Sequence, residues 1–330
     1  MPKPGFSFAR STRFPKRVTI YEVGPRDGLQ NEKQELPLAA KVALIAGLRR
    51  AGLTQIEAGS FVRPDRVPQM RDTDRIFGEI QASVRQFAGA TYWAVVPNRK
   101  GLERALASGA QAIGLITAVT ESFNSKNIGM SVDESLTEIR EILKQARRMK
   151  LKTRGYLSTV FGCPFEGPTP PRRAVDAANR LWDLGIDQIS LGDTIGVATP
   201  KDVDRVLPRI LDHAPIKKVA VHFHDTRGTA LANTFRALEY GISNVDASSG
   251  GLGGCPFAPG AAGNLATEDL VYLLHGMGIH TGVDLPRLCD ASLELSRVMG
   301  RPLSSRYLAT YLATSSPSRP VGASVQGSCK

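Results

Sequence analysis

Two histidines stand two residues apart in Val221-His222-Phe223-His224-Asp225, at the end of an apolar run. If that run is a strand, its side chains alternate between faces and both imidazoles point the same way. Two imidazoles on one face form a natural metal pair. The other reading is a pair of hydrogen-bonded structural histidines. The chain has only five histidines, and Phe223 between these two is placed to face outward, which favours the metal. Ligands drawn from imidazole, carboxylate and amide, with positions left open, suit Mg²⁺ or Mn²⁺ at least as well as zinc.

Other polar residues interrupt apolar runs in the same way. Arg26-Asp27 follows the first run. Asp27 is a candidate third ligand with Arg26 as a fixed cation beside it; the alternative is a surface ion pair in a turn. Glu57 follows the second run and could anchor Arg26, act on a proton, or be a buried residue paired for stability. The stretch from Gly250 to Asn264 is glycine-rich and carries a lone thiol, Cys255, flanked by Gly and Pro, at an exposed loop tip. Asn264 closes that stretch at an expected helix start, either as an N-cap or as a fourth ligand. Asp193 in Leu191-Gly192-Asp193-Thr194 and Tyr156 within an apolar run complete the set.

An internal repeat indicates what must position these groups. Gly52, Gly109, Gly185 and Gly241 each follow a helical pattern and precede an aliphatic residue four positions on. The physical reading is a helix ended by glycine in the left-handed conformation, a short turn, then a strand. Working outward, strands are expected at Val18–Glu22, Gln55–Ala58, Thr91–Val95, Ala112–Ile116, Thr153–Thr159, Gln188–Leu191, Lys218–Phe223 and Asn244–Ser248. The clearest helical patterns are Leu38–Arg50, Val132–Lys150, Ala174–Leu184, Val203–Leu211, Ala230–Tyr240 and Asn264–Gly276. Strict alternation implies parallel strands, and eight units favour a closed (β/α)8 TIM barrel. An open doubly wound sheet is the alternative, but its G-x-G-x-x-G is absent. In a barrel, the singled-out residues fall at the C-terminal strand ends, where such folds place active sites. Residues 18–283 are the expected catalytic domain, 284–314 a helical extension with one helix from Asp284 to about Arg306, and 315–330 a disordered tail.

The chain has 330 residues and a net charge of +11. Residues 1–17 hold five of the excess positive charges and 301–330 another four, without a single acid, so the body is nearly neutral. With no basic stripe among aromatics, nucleic-acid binding is not expected. No apolar run is long enough for a membrane helix. Four scattered cysteines form neither a zinc ribbon nor a disulfide framework, which points to a reducing compartment. Residues 1–17 read as a loose basic tail, faintly like a transit peptide. A cytoplasmic location is expected, with the mitochondrial matrix as alternative.

Taken together, several stretches resemble the 3-hydroxy-3-methylglutaryl-CoA lyase family: Glu22-Val23-Gly24-Pro25-Arg26-Asp27-Gly28-Leu29-Gln30-Asn31-Glu32-Lys33, Ser60-Phe61-Val62 with Val67-Pro68-Gln69-Met70, Leu191-Gly192-Asp193-Thr194-Ile195-Gly196, the two-histidine strand and the Gly251–Asn264 loop. The match runs from Val18 to Val283, and the cysteine loop is its most specific piece. The resemblance implies a divalent metal on Asp27, His222, His224 and Asn264, with Arg26, Glu57, Asp193 and Cys255 at catalytic positions and His222 doubling as acid or base. Lys33 matches a position near the acyl-CoA tail; Gln30, Tyr156 and Arg227 are further expected substrate contacts. The implied reaction is retro-Claisen cleavage of 3-hydroxy-3-methylglutaryl-CoA to acetyl-CoA and acetoacetate, as in leucine catabolism and ketone body metabolism, by a homodimer. Two places depart from the family pattern: Arg227 replaces an aromatic, and Ala58-Gly59 replaces larger hydroxylated residues. A related 3-hydroxy acyl-CoA, such as citramalyl-CoA or a 3-alkyl homologue, is therefore an alternative substrate. A Claisen-type condensing enzyme is the other alternative, though the residues after Val283 are too few for the further domain many such enzymes carry.

Overall fold

The computed structural model describes residues 14–254 and 263–315. Eight parallel strands close into a barrel: β1 Thr19–Glu22, β2 Gln55–Ser60, β3 Thr91–Val95, β4 Ala112–Ala118, β5 Lys152–Ser158, β6 Gln188–Asp193, β7 Val219–Phe223 and β8 Asn244–Ala247. Each strand pairs with its neighbour in sequence, and β8 pairs with β1. The open-sheet alternative is thereby excluded. Helices Leu38–Arg50, Thr73–Ala82, Arg99–Ala107, Val132–Arg148, Pro171–Asp183, Pro200–Leu211, Ala230–Glu239 and Thr267–Gly276 follow the strands in turn. None of the described helices is long and apolar enough to cross a membrane.

The four repeat glycines do what their position suggests. Gly52, Gly109, Gly185 and Gly241 have φ of 98°, 71°, 79° and 89°. At Gly52 the last turn closes by Gly52 N–H to the Arg49 carbonyl (3.0 Å) and Leu53 N–H to the Leu48 carbonyl (3.2 Å). These paired bonds satisfy carbonyls that the helix end leaves unpaired. The chain then turns directly into β2.

Alternation along the strands divides the core in two. Ile113, Leu115, Leu157, Ile189, Leu191, Val219, Val221 and Val245 are buried in the apolar layer. Facing the barrel axis is a polar set that includes Tyr21, Arg154, Ser190 and Asp246. Arg154 on β5 reaches across to Asp246 on β8 and lies over the Tyr21 ring of β1, 3.8 Å from its centroid. Barrel interiors are usually filled by branched aliphatic side chains, so this polar filling calls for a functional reason.

Two peripheral expectations are corrected. The extension is two helices, Leu285–Met299 and Arg306–Ser315, rather than one. Gly300 (φ 65°) ends the first in the left-handed conformation, and Pro302 follows. The tail expected to be loose from residue 315 starts after a helix that includes Ser315, and 316–330 lie outside the described residues. Within the N-terminal tail, Lys16 and Arg17 are tied to His280: the His280 N–H donates to the Lys16 carbonyl at 3.0 Å, and Arg17 bridges His280 in parallel.

Candidate active site and metal centre

β1 runs into a single π-helical turn, Gly24–Gly28, closed by the Gly28 N–H on the Val23 carbonyl at 3.1 Å. Such turns recur at functional sites. Glu22, just before it, is fully buried. Its carboxylate accepts from the N–H groups of Gly24 and Ser249 (2.8 Å each) and from the Thr267 hydroxyl (2.7 Å). Burial pushes its pKa up to about 7 against those hydrogen bonds. A Cβ on Gly24 would stand 2.5 Å from Glu22 Oε1, so only glycine fits here.

The turn so pinned sets Arg26 and Asp27 at the mouth of the barrel. Arg26 Nε donates to Glu57 Oε2 (2.6 Å) and Nη1 to Asp27 Oδ1 (2.7 Å). Burial lowers the guanidinium pKa, but Glu57 and Asp27 outweigh it and leave it raised. For Asp27, burial is outweighed by Arg26 and the two imidazoles, which hold its carboxyl at about 2. Glu57 is in turn fixed from β5, where the Tyr156 hydroxyl donates to its Oε1 at 2.6 Å. Burial first and the Glu57 charge second push the Tyr156 phenol well above its usual range. Gly114 on β4 makes room for this contact, because a Cβ there would lie 2.5 Å from the Tyr156 ring. Among the readings open for Glu57, the geometry fits the anchor.

His222 and His224 bring their Nε2 atoms to 3.2 Å from each other, and His222 Nε2 lies 4.0 Å from Asp27 Oδ2. One ligand atom from each of Asp27, His222 and His224 falls within 4.8 Å of the others. Asn264 Nδ2 donates to Asp27 Oδ2 at 2.8 Å, and Asn264 Oδ1 is buried with no partner among the described residues. A buried acceptor left unpaired next to a carboxylate and two imidazoles is placed to serve as a cation ligand. The donor set therefore fits a divalent metal. Burial and His222 drive the His224 pKa down to about 4, so this imidazole is a neutral, ligand-competent base.

The helix-cap reading of Asn264 is not what the structure shows. The helix begins at Thr267, and Asn264 forms an antiparallel bridge with His224. The Leu265 N–H donates to the Phe223 carbonyl at 3.1 Å. This extended pairing carries Asn264 onto Asp27. Cys255 lies outside the described residues. On its N-terminal side the Gly254 carbonyl accepts from Asn31 Nδ2 (2.9 Å), which also reaches the Asp27 carbonyl at 3.3 Å.

Of the expected substrate contacts, Gln30 and Tyr156 line the cavity that holds Arg26, Asp27 and both histidines. Lys33 is exposed and does not line it. Arg227 is exposed and does not line the cavity. Its Nη1 donates to the carbonyls of Ile195 (3.0 Å) and Gly196 (2.9 Å), tying down the loop after β6. Asp193 is fully buried beside the cavity rather than lining it. Its carboxylate accepts from the Val197 and Ala198 N–H groups at 3.0 Å each, and burial still pushes its pKa up to about 6. Those two bonds shape the loop after β6.

Two interior residues, Arg154 and Asp246, escape a reading of strand ends alone. Asp246 Oδ2 lies 3.2 Å from His222 Nδ1 and accepts from the Ser190 hydroxyl at 2.8 Å; its Oδ1 pairs with Arg154. Arg154 Nη1 also reaches the Tyr156 hydroxyl at 3.3 Å. The available signal was a charge in the middle of each strand, in Thr153-Arg154-Gly155 and Val245-Asp246-Ala247. With these residues the polar contacts run from Asp27 through Arg26, Glu57, Tyr156, Arg154 and Asp246 to His222. The opposing pull on His222 is burial, which Asp246 outweighs, so its pKa is raised.

The HMGL-like family model matches residues 17–294. The chain is 48% identical over 293 residues to hydroxymethylglutaryl-CoA lyase, mitochondrial, of Bos taurus, covering 89% of each chain. It is 46% identical over 299 residues to the 3-hydroxy-3-isohexenylglutaryl-CoA/hydroxy-methylglutaryl-CoA lyase of Pseudomonas aeruginosa, covering 91% of this chain and 98% of that one. A crystal structure of hydroxymethylglutaryl-CoA lyase from Pseudomonas aeruginosa superposes with a TM-score of 0.87 at 45% identity, covering 92% of this chain and 99% of that one. The chain belongs to the HMGL-like family.

Proposed function

We propose that this protein is a hydroxymethylglutaryl-CoA lyase, cleaving 3-hydroxy-3-methylglutaryl-CoA to acetyl-CoA and acetoacetate. The observation that carries the reading is Arg26, clamped between Glu57 and Asp27 on the wall of the cavity that holds His222 and His224. Asp27, His222, His224 and Asn264 would hold the cation, Mg²⁺ or Mn²⁺. Bound there, it supplies Lewis acidity that acidifies the substrate's tertiary hydroxyl. As that acidified hydroxyl passes its proton to water in the cavity, the C3–O bond becomes a carbonyl and the C2–C3 bond breaks. Its electron pair moves into C1–C2, leaving negative charge on the thioester oxygen. Arg26 is a preorganised cation for that charge, because two carboxylates fix its plane before substrate arrives. The enolate carbon then takes a proton, a role carried over from the resemblance to Cys255. His222 cannot serve as ligand and as acid or base at once. Its Nδ1 is bonded to Asp246 and only Nε2 faces the cavity, so we assign it to the metal.

A second reading, a lyase for 3-alkyl homologues, is supported by the cavity's other wall. Val62, Val67, Pro97, Ile116, Phe123 and Ile128 line it, an apolar surface suited to a substituent longer than methyl. The reading extends to a homodimer in a reducing compartment, cytoplasm or matrix; Cys163 and Cys289 are both unpaired and buried. Sedimentation velocity tests the dimer. Turnover of a panel of 3-hydroxy acyl-CoA thioesters with Mn²⁺, with both products identified, tests the activity. The methyl substrate is expected to give acetyl-CoA and acetoacetate; higher kcat/KM for long 3-alkyl substrates would favour the second reading. No cleavage of any member would reject both.

A further inference from the structure

We infer that Asp246 is a positioning residue: it fixes the tautomer and orientation of His222 and so presents the Nε2 lone pair to the cavity. The inference rests on the metal reading of the site for its purpose, but not for its geometry.

Parallel register places Asp246 on β8 beside His222 on β7. The contact is Oδ2 to Nδ1 at 3.2 Å. Asp246 is itself held on both oxygens, by the Ser190 hydroxyl at 2.8 Å and by Arg154. Arg154 is secured by Gln188 Oε1 at 2.7 Å and lies against the Tyr21 ring. Both members of the Arg154–Asp246 pair have side-chain exposures of 0%. A carboxylate facing a buried guanidinium is an acceptor only. The hydrogen on His222 Nδ1 is therefore donated to Asp246, and in the neutral imidazole Nε2 carries the lone pair. That atom is the one turned toward His224 Nε2 and Asp27 Oδ2.

The energetics point the same way. A buried ion pair gains little over well-packed apolar residues, because desolvating two charges offsets most of their attraction. The Arg154–Asp246 pair is thus a poor device for stabilising a barrel interior. What an apolar pair could not provide is a rigid anionic acceptor at Nδ1. Carboxylate partners of this kind orient metal-ligating histidines and increase their basicity.

The test uses the full chain. Long-range ¹H–¹⁵N correlation spectra of the metal-free protein report each imidazole's tautomer; with five histidines, a His222→Gln spectrum assigns the signal. His222 is expected in the Nδ1–H form. Calorimetric titration with Mn²⁺ is expected to show affinity reduced about 10- to 100-fold in Asp246→Asn. Because that variant strands Arg154, the neutral double variant Arg154→Gln/Asp246→Asn is measured too. Circular dichroism confirms folding of each. An Nε2–H tautomer for His222 in the wild type, or wild-type Mn²⁺ affinity in a folded variant lacking the carboxylate, would overturn the inference. If the wild type bound no Mn²⁺, the metal reading would fail and the tautomer would still decide the role of Asp246.

Discussion

Tyr156 on β5 donates its hydroxyl hydrogen to Glu57 on β2 across the barrel, at 2.6 Å. The other oxygen of Glu57 holds Arg26 Nε at the same distance. The two contacts make Tyr156 a determinant of where the Arg26 guanidinium sits, although Tyr156 itself contacts Arg26 only through the face of its ring, 5.6 Å from centroid to Cζ. Removing the hydroxyl in Tyr156→Phe leaves Glu57 Oε1 buried without that donor. Such a loss costs about 1–3 kcal/mol, and misplacement of Arg26 should appear in kcat. A fall in kcat of at least about tenfold, one decade per 1.4 kcal/mol, is expected with KM little changed. Steady-state kinetics check it; an unaltered kcat would separate Tyr156 from the placement of Arg26.

Arg26→Lys keeps the charge but loses the planar fork that engages Glu57 and Asp27 together. Because the interaction with the thioester oxygen strengthens only as charge develops, kcat should drop by about 10²-fold or more. Thermal melting should change little by comparison. An effect confined to KM would reassign Arg26 to ground-state binding.

Metal removal should abolish turnover, and Mg²⁺ or Mn²⁺ should restore it. His224→Ala deletes one of the imidazoles whose Nε2 atoms converge, so its Mn²⁺ affinity should fall by more than that of Ser190→Ala, which only supports Asp246. Titration calorimetry on both variants measures the difference.

Stability should depend on pH through buried carboxylates behind the site. Glu268 accepts the Gly250 N–H on both oxygens (3.0 and 2.9 Å), and burial, with Glu22 nearby, pushes its pKa up to about 8. A carboxyl whose folded-state pKa is raised favours folding while protonated. Its contribution is complete below about 4.5, the ordinary value, and is lost as pH rises toward about 8. Melting temperature should therefore decline between about pH 4.5 and 8 for the wild type. Glu268→Gln, which stays neutral, should show a shallower decline; identical slopes would contradict the assignment.

Alkylation should single out Cys255. Cys163 and Cys289 are buried, and burial with neighbouring carboxylates pushes the Cys289 thiol up to about 12, where it is inert at neutral pH. Iodoacetamide inactivation should therefore map to Cys255 by mass spectrometry, with bound product protecting it. Inactivation that tracks modification of Cys163, Cys289 or Cys329 instead would remove Cys255 from the chemistry.

The barrel was legible because its punctuation is local. A glycine that must adopt positive φ, as at Gly52 and Gly241, marks a helix end wherever it falls. Arg26, Asp27, His222 and His224 were legible for a related reason: each breaks an apolar strand pattern at or just past its C-terminal end, where a barrel opens, whereas Glu57, read as following its strand, lies inside β2. Asp246 and Arg154 were not, because their meaning lies in strands far apart in the chain; Arg154 on β5 and Asp246 on β8 meet only after closure. Asn264 shows a local signal overridden by tertiary pairing. Its side chain suits a helix cap, yet the backbone bridge to His224 draws it to Asp27 instead. The contacts of Arg227 were not legible because the carbonyls it binds, at Ile195 and Gly196, belong to a turn whose path no pattern in sequence records.

The most direct measurement of the central claim is product analysis of 3-hydroxy-3-methylglutaryl-CoA incubated with wild-type protein, chelated protein and chelated protein resupplied with Mn²⁺. Equal amounts of acetyl-CoA and acetoacetate are expected from the first and third and neither from the second. Turnover that persists in excess chelator, or release of free CoA without acetoacetate, would contradict carbon–carbon cleavage at the Arg26, Asp27 and His222 site.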